Sequence, residues 1–399
     1  MSDFKLKTIN IGHNYFIRGG SDRVLVKTVE LMNVNGHIAI PFCSSDPRSL
    51  PNDYLKYFVN SINTDSSSSF FQKLSFFYNS DAKSKLMELL RIEPDIDVAH
   101  LHIYYGKITT SILKPLKDKK IKIIQSLHEY KLACPIYTME RNGNVCDLCI
   151  NGAFYHCAQF KCKNNSLLQS LVMTIESYFS RFMGDIKLID KFISVSYFHK
   201  GIMEEVGIPS DKIEVLHNFV DVSSIEYKPF HSGYFLYFGR IEKLKGIDTL
   251  LESFSRISDQ LLIVGDGSYV DVVKEKTSNL DNVSFLGFKE GDELQNLIAN
   301  SIGVIVPSEW YENCPMTILE AKAHGRPVIG TNIGGIPELI TNGIDGYIIP
   351  CRDTVALRNA IVSVKQHFLS LSHNARIDAE NRFSKEAYLQ KLLNIYESA

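Results

Sequence analysis

The sequence predicts an α/β protein built from two doubly wound, parallel-sheet domains that face each other across a cleft. Three observations carry that expectation. Short β-branched and apolar runs alternate with helix-period segments, the pattern of βαβ units. The alternation runs twice, from Thr8 to Leu216 and again from Tyr234 to Ile349. A chain of 399 residues, 45% hydrophobic and 22% charged, has enough apolar content for two large cores, which excludes wholesale disorder.

The first unit reads as strand Thr8–Ile11, loop Gly12–Gly20, then a helix in which Val24, Leu25, Val29 and Met32 recur at helical spacing. Gly36 ends that helix and His37–Phe42 gives the next strand. Asp97–Leu101, Ile121–Ser126, Phe192–Ser196 and Ile213–Leu216 complete the first set. Between Asn52 and Asp81 the pattern lapses around the serine run Ser66–Ser69, which reads as a mobile excursion facing a substrate. Asn218–Gly233, with Pro229 and few regular signals, is the boundary, so that residues 1–222 form the first domain and 223–233 the linker. The second domain, 234–384, carries strands Phe235–Phe238, Leu261–Val264, Val283–Leu286, Gly303–Val306, Pro327–Gly330 and Gly346–Ile349. Residues 385–399 stand apart as a C-terminal helix, amphipathic over Lys385–Ser398 and able to join either domain.

Charge is balanced, 43 Lys and Arg against 45 Asp and Glu, which argues against a nucleic-acid binder. The stretch Met1–Phe16 has no apolar core of a signal peptide, and no run approaches the ~18 apolar residues that cross a bilayer. The expected location is the cytoplasm, with peripheral contact at the inner membrane as the furthest excursion. Of eight cysteines, Cys43, Cys134, Cys314 and Cys351 are scattered and read as small buried hydrophobes. Cys146-x2-Cys149-x7-Cys157-x4-Cys162, with His156 adjacent, cluster in an insertion over 141–162. In a reducing compartment those spacings suit a structural zinc site, and a set of free or partly paired thiols is the alternative. Just beyond, Leu168, Leu171, Val172, Ile175, Phe179 and Phe182 repeat at helical spacing near Lys161, Lys163 and Arg181. The helix over 167–183 is either a core helix or an interfacial one.

The residues that carry chemistry concentrate in the second domain. Gly239-Arg240 ends a strand and Lys245-Gly246 opens the following helix, two cations where a diphosphate would sit. Glu312 lies in a loop before a helix whose start is marked by Pro315, and Glu320 lies two turns on. Free backbone N–H groups near 314–317 suit an anion or a sugar hydroxyl, and carboxylates suit hydroxyl pairs. Taken singly, each has a plainer reading: solvated surface cations, an exposed loop acid, a helix-surface glutamate.

Together they resemble the large group-1 class of retaining glycosyltransferases, family 4-like, whose fold is the two-domain GT-B arrangement. Glu312 and Glu320 match that family's E-x7-E motif. Gly239-Arg240, Lys245-Gly246, Val264-Gly265-Asp266-Gly267, Leu286-Gly287-Phe288 and Gly334-Gly335-Ile336-Pro337-Glu338 stand in the family's order. Gly19-Gly20-Ser21-Asp22-Arg23-Val24 is similar to its GG-x-E-R-V segment, with Asp22 where Glu is commoner.

The resemblance implies a nucleotide-sugar donor (a uridine or guanosine diphosphate sugar) and a saccharide acceptor, free or lipid-linked, in surface polysaccharide assembly. It implies that Arg240 and Lys245 neutralise the departing diphosphate, that Glu320 holds the ribose, and that Glu312 binds the donor sugar. Asn313, Cys314, Pro315 and Met316 would complete the sugar pocket, Gly19 and Gly20 would approach the phosphates, and Phe288 would lie at the base. His128, at a strand end, resembles the family's cleft histidine, although His100 and His102 show that strand-end histidines also serve structure. Glu129 would help bind the acceptor. No catalytic metal is implied. A nucleotide-sugar epimerase and a catalytically silent sugar-binding subunit stand as alternatives. A nicotinamide dehydrogenase does not, because Gly265-x-Gly267 lacks the third glycine of that fingerprint.

Overall fold

The computed structural model describes residues 5–60 and 74–399, so the serine run Ser66–Ser69 lies outside the described residues. The first domain runs β1 (Lys7–Gly12), α1 (Gly20–Val34), β2 (Ile38–Cys43), α2 (Ser80–Ile92), β3 (Val98–Leu101), α3 (Leu113–Asp118) and β4 (Lys122–Leu127). It continues with a hairpin of β5 (Glu140–Arg141) and β6 (Asn144–Val145), then α4 (Tyr155–Gln159), α5 (Leu167–Phe182), β7 (Lys191–Ser194), α6 (Tyr197–Glu205) and β8 (Ile213–Val215). Its main sheet is parallel throughout, in the order β2-β1-β3-β4-β7-β8. Helices cover both faces, which is why these strands read as continuous apolar runs: Ile9, Ile11, Ile40, Phe42 and Ile123 are all fully buried.

The second domain runs β9 (Tyr234–Phe238), α7 (Ile247–Phe254), β10 (Gln260–Val264), α8 (Val270–Thr277), β11 (Val283–Phe285), α9 (Gly291–Ala299) and β12 (Gly303–Val306). It ends with α10 (Met316–Ala323), β13 (Val328–Thr331), β14 (Gly346–Ile349), α11 (Thr354–Gln366) and α12 (Phe368–Arg382). Its sheet is also parallel, in the order β11-β10-β9-β12-β13-β14. The order reverses between β9 and β12, and these two strands pair only through Gly303–Phe235 and Val304–Leu236. Beyond that short register their carboxyl ends open a crevice, the place where such sheets bind ligands.

The chain then returns. Helix α13 (Lys385–Ser398) adds Tyr388, Leu389, Leu392, Ile395 and Tyr396 to the apolar cluster that holds Leu25, Val29 and Met32 of α1 with Ala39, Val98 and Ile124 of the first sheet, and its Tyr388 hydroxyl meets Thr28 Oγ1 at 3.2 Å. Its Tyr396 hydroxyl bonds His100 Nδ1 at 2.7 Å. Each fully buried apolar side chain of this kind contributes about 1.5–3 kcal/mol, so α13 belongs energetically to the first domain. Fully buried Arg326 ties the connector down, donating to the carbonyls of Lys228, Phe230, Ser301 and His324.

One helix inverts the usual pattern. Helix α5 buries Ser170, Thr174, Glu176, Ser177 and Ser180 and turns its apolar stripe to solvent. The core-helix alternative for 167–183 therefore fails.

Candidate active site

Two elements set the crevice walls. After β9 the chain passes Gly239 and Arg240 and reaches α7 through Gly246, whose φ of +74° only glycine adopts easily. A Cβ there would lie 1.8 Å from the Pro307 carbonyl oxygen, so the turn before α7 rests directly on the loop after β12. That contact brings Lys245 to the E-x7-E loop. Lys245 Nζ donates to Glu312 Oε1 at 2.5 Å, Ser308 Oγ donates to the same oxygen at 2.8 Å, and the ammonium stands 4.8 Å from the Trp310 ring centroid. Burial would raise the Glu312 carboxyl, but the Lys245 charge and the hydrogen bonds outweigh it and hold the group below its ordinary value. The plain reading of Glu312 as an exposed loop acid is thus wrong.

Helix α10 begins at Met316 with no side-chain cap, leaving backbone donors free at its start. Its rotation is set from behind, where fully buried Lys322 bonds Asp345 at 3.0 Å and also pairs with Asp378. Glu320 then faces the first domain and pairs with Arg23 of α1. Burial leaves the Glu320 carboxyl raised despite that cation. Helix α1 also begins without a side-chain cap, at Gly19, and a Cβ on Gly20 would lie 3.8 Å from Met316 Cγ. Two uncapped helix N-termini therefore face one another across the cleft, a setting that favours anions.

The opposite wall comes from β4. His128 bonds His102 across neighbouring strand ends, Nε2 to Nδ1 at 2.9 Å, and its backbone carbonyl accepts from Asn313 Nδ2 at 3.1 Å. Burial lowers His128 to about 4, so the ring is neutral near pH 7. His100 is structural, bonded to Ser126 and Tyr396. Glu129, beside His128, is pushed up to about 7 by burial against the opposing charge of Lys131. Asn218, at the end of the first domain, donates to the Cys314 carbonyl at 3.2 Å.

The structure thus brings together His128, Lys245, Glu312, Asn313, Met316 and Glu320. It leaves Arg240 exposed, with its guanidinium 3.0 Å from Glu242, and Phe288 exposed beyond β11. Pro315 caps α10 rather than standing inside it. Sequence reasoning gave no role to Ser308 or Trp310, which carry no spacing signal of their own, read His102 as structural, and placed Arg23 in the GG-x-E-R-V match without assigning it a partner.

Away from the crevice, Cys146, Cys149, Cys157 and Cys162 line one small cavity of about 20 Å³ with His156, and Cys134 lines it too. Cys134 is therefore not an isolated hydrophobe; the loop after β4 folds it onto the insertion. All five are free, and burial pushes Cys149 and Cys157 up to about 12. Among the described residues no three His, Cys, Asp or Glu side chains already stand at metal-binding geometry.

Comparison with known proteins agrees with this architecture. Residues 18–224 match the family described as Glycosyltransferase Family 4, and residues 232–367 match Glycosyl transferases group 1. An N-acetyl-alpha-D-glucosaminyl L-malate synthase of Bacillus anthracis is 29% identical over 228 residues, 52% of this chain and 59% of that protein. The match therefore spans about three-fifths of that relative's length. Among solved structures, Anabaena Alr3699/HepE in complex with UDP superposes with a TM-score of 0.69 at 14% identity, covering 99% of this chain and 100% of the other. The lipopolysaccharide outer core galactosyltransferase WaaB gives 0.65 at 18%, covering 98% and 99%. The matched segments, the paired Rossmann-like sheets and the ordered motifs make this chain a member of the group-1, family 4 glycosyltransferases with the GT-B fold.

Proposed function

We propose that the protein transfers a sugar from a nucleotide-sugar donor to a saccharide acceptor with retention at the anomeric carbon. The observation that carries this reading is the Lys245–Glu312 pair at the β9/β12 crevice, faced by the His128 loop through Asn313. Lys245 has two ammonium protons beyond the one given to Glu312, and with Arg240 and the free N–H groups of α10 and α1 it would neutralise a departing diphosphate. Gly19 and Gly20 give the phosphates close access. Glu320 would exchange Arg23 for the ribose hydroxyls, Phe288 would lie against a uracil or guanine base, and Glu312 with Asn313, Cys314, Pro315 and Met316 would hold the sugar. The HepE structure, which is a complex with UDP, supports a nucleotide as a ligand of this fold.

Charge on the leaving group is met by these fixed cations and dipoles, so the chemical step needs no divalent ion. Neutral His128 is suited to hydrogen-bond the sugar. The acceptor proton passes to the leaving phosphate as the new glycosidic bond forms on the same face from which the old one breaks. The WaaB likeness supports a place in surface polysaccharide assembly, and the setting we infer is the cytoplasmic side of the inner membrane, with the acceptor saccharide carried on a lipid. The cysteine-lined cavity is the candidate seat of a structural zinc, supported by the convergence of five free thiols.

A thermal-shift panel of uridine and guanosine diphosphate sugars tests the donor site. A donor at a hundred times its dissociation constant stabilises the fold by about 2.7 kcal/mol. A panel that leaves the melting temperature unmoved throughout would sink the reading.

A further inference from the structure

We propose that the outward face of α5 is a docking face for an anionic lipid bilayer. Leu168, Leu171, Ile175, Tyr178 and Phe182 follow one another three or four positions apart and so lie on one side of the helix. They are 43–85% exposed. Tyr155 and Phe160, from the neighbouring insertion, are exposed as well, and the Tyr155 backbone N–H donates to the Tyr178 hydroxyl at 3.3 Å.

This face is not an apolar stripe waiting to turn inward. The inner face of α5 is already committed to polar partners. Ser170 Oγ accepts from the Lys163 backbone, Thr174 Oγ1 donates to the Phe154 carbonyl, Ser180 Oγ donates to Glu176, and Lys131 donates to Ser177 Oγ. Rotating the helix to bury its leucines would break the three bonds that leave the helix and split a buried charge pair, Lys131–Glu176 at 2.5 Å. Cys157, bonded through Sγ to the Ser170 carbonyl, braces the helix from the insertion side.

Charge selects the occupant. Over residues 161–187 both acids are buried and paired, Glu176 with Lys131 and Asp185 with Arg181 at 3.1 Å. The charged residues left exposed are Lys161 and Lys187, one beyond each end of α5. An apolar stripe flanked by cations, with both carboxylates of 161–187 turned inward, is complementary to acyl chains beneath anionic headgroups.

The inference goes beyond sugar transfer and is tested without any sugar nucleotide. Full-length protein is sedimented with vesicles of phosphatidylcholine alone and of phosphatidylcholine with phosphatidylglycerol. Wild type should pellet with the anionic vesicles and be released by salt. The double variant Leu168→Glu/Phe182→Glu should lose partitioning by about tenfold or more, with an unchanged melting temperature because both side chains are exposed. Lys161→Glu/Lys187→Glu, which leaves the apolar stripe intact, should lose the preference for phosphatidylglycerol. Wild type remaining in the supernatant overturns the proposal, as does equal binding by the first double variant. So does a dimer, seen by analytical ultracentrifugation, that Phe182→Glu dissociates while vesicles bind nothing.

Discussion

Replacing Lys245 by alanine removes the cation that makes a buried Glu312 carboxylate tolerable. Breaking a dry ion pair costs about 3–5 kcal/mol, because the surviving charge is left without a partner. Here the two side chains keep 19% and 11% of their exposure, so the lower end, about 3 kcal/mol, is expected at neutral pH. The sign of the pH dependence follows from the causes of the Glu312 shift. In the wild type the carboxyl lies below its ordinary 4.5, so its stabilisation is present above 4.5 and is lost as pH falls through the lower folded value. Without Lys245, burial is the largest remaining influence and lifts the carboxyl above 4.5. The variant then loses stability as pH rises past that point. The deficit of Lys245→Ala relative to wild type should therefore shrink markedly near pH 4.5. Urea unfolding of the full-length protein at both pH values measures it. Lys245→Met/Glu312→Gln, which removes both charges, should be more stable than Lys245→Ala at neutral pH. A deficit under about 1 kcal/mol, or one equal at both pH values, would refute the reasoning.

Arg240→Ala separates catalysis from folding. Its side chain is exposed and, among the described residues, bonded to neighbouring Glu242 alone, so transfer should fall by orders of magnitude with the melting temperature unchanged; activity within twofold of wild type would remove Arg240 from the phosphate site. Glu338→Ala should loosen the two domains, since that carboxylate accepts from the Tyr197 and Phe198 backbone N–H groups at 2.7 and 2.6 Å across the cleft. A cap of this kind contributes about 0.5–2 kcal/mol, and small-angle scattering should show a larger radius of gyration; an unchanged radius and melting temperature count against it. Brief EDTA treatment should leave transfer intact, while elemental analysis should find zinc at one per chain, slow to leave. Immediate inactivation reversed by magnesium contradicts the metal-free step, and protein free of zinc after reducing purification contradicts the cysteine site.

The strands were legible because each parallel strand is buried on both faces, and such segments announce themselves as short apolar runs. Every strand expected from sequence in the two large sheets lies within two residues of an observed one. Glu312 and Glu320 were legible through their spacing, but their surroundings were not. The Arg23–Glu320 pair joins residues 297 positions apart, and no local pattern carries such a contact. Cys134 escaped because the loop after β4 turns back by tertiary packing. For α5, periodicity established an amphipathic helix without saying which face turns inward. Lys131, far along the chain, decides that by meeting Glu176.

The return of α13 to the first domain sets an order on synthesis. Residues 5–222 leave the ribosome before 385–398, so the apolar cluster that holds Leu25, Ala39, Val98 and Ile124 lacks Tyr388, Leu392 and Tyr396 until that segment has been made. The second domain's sheet can close around its own core during that interval, because its strands lie wholly within 234–349. The domain begun before the other is thus completed after it, and the surface that α13 covers is open to chaperones and proteases meanwhile. A fragment cut in the linker inherits that defect permanently. Expression of the first domain alone requires the 385–398 segment, supplied as a second chain or grafted behind β8.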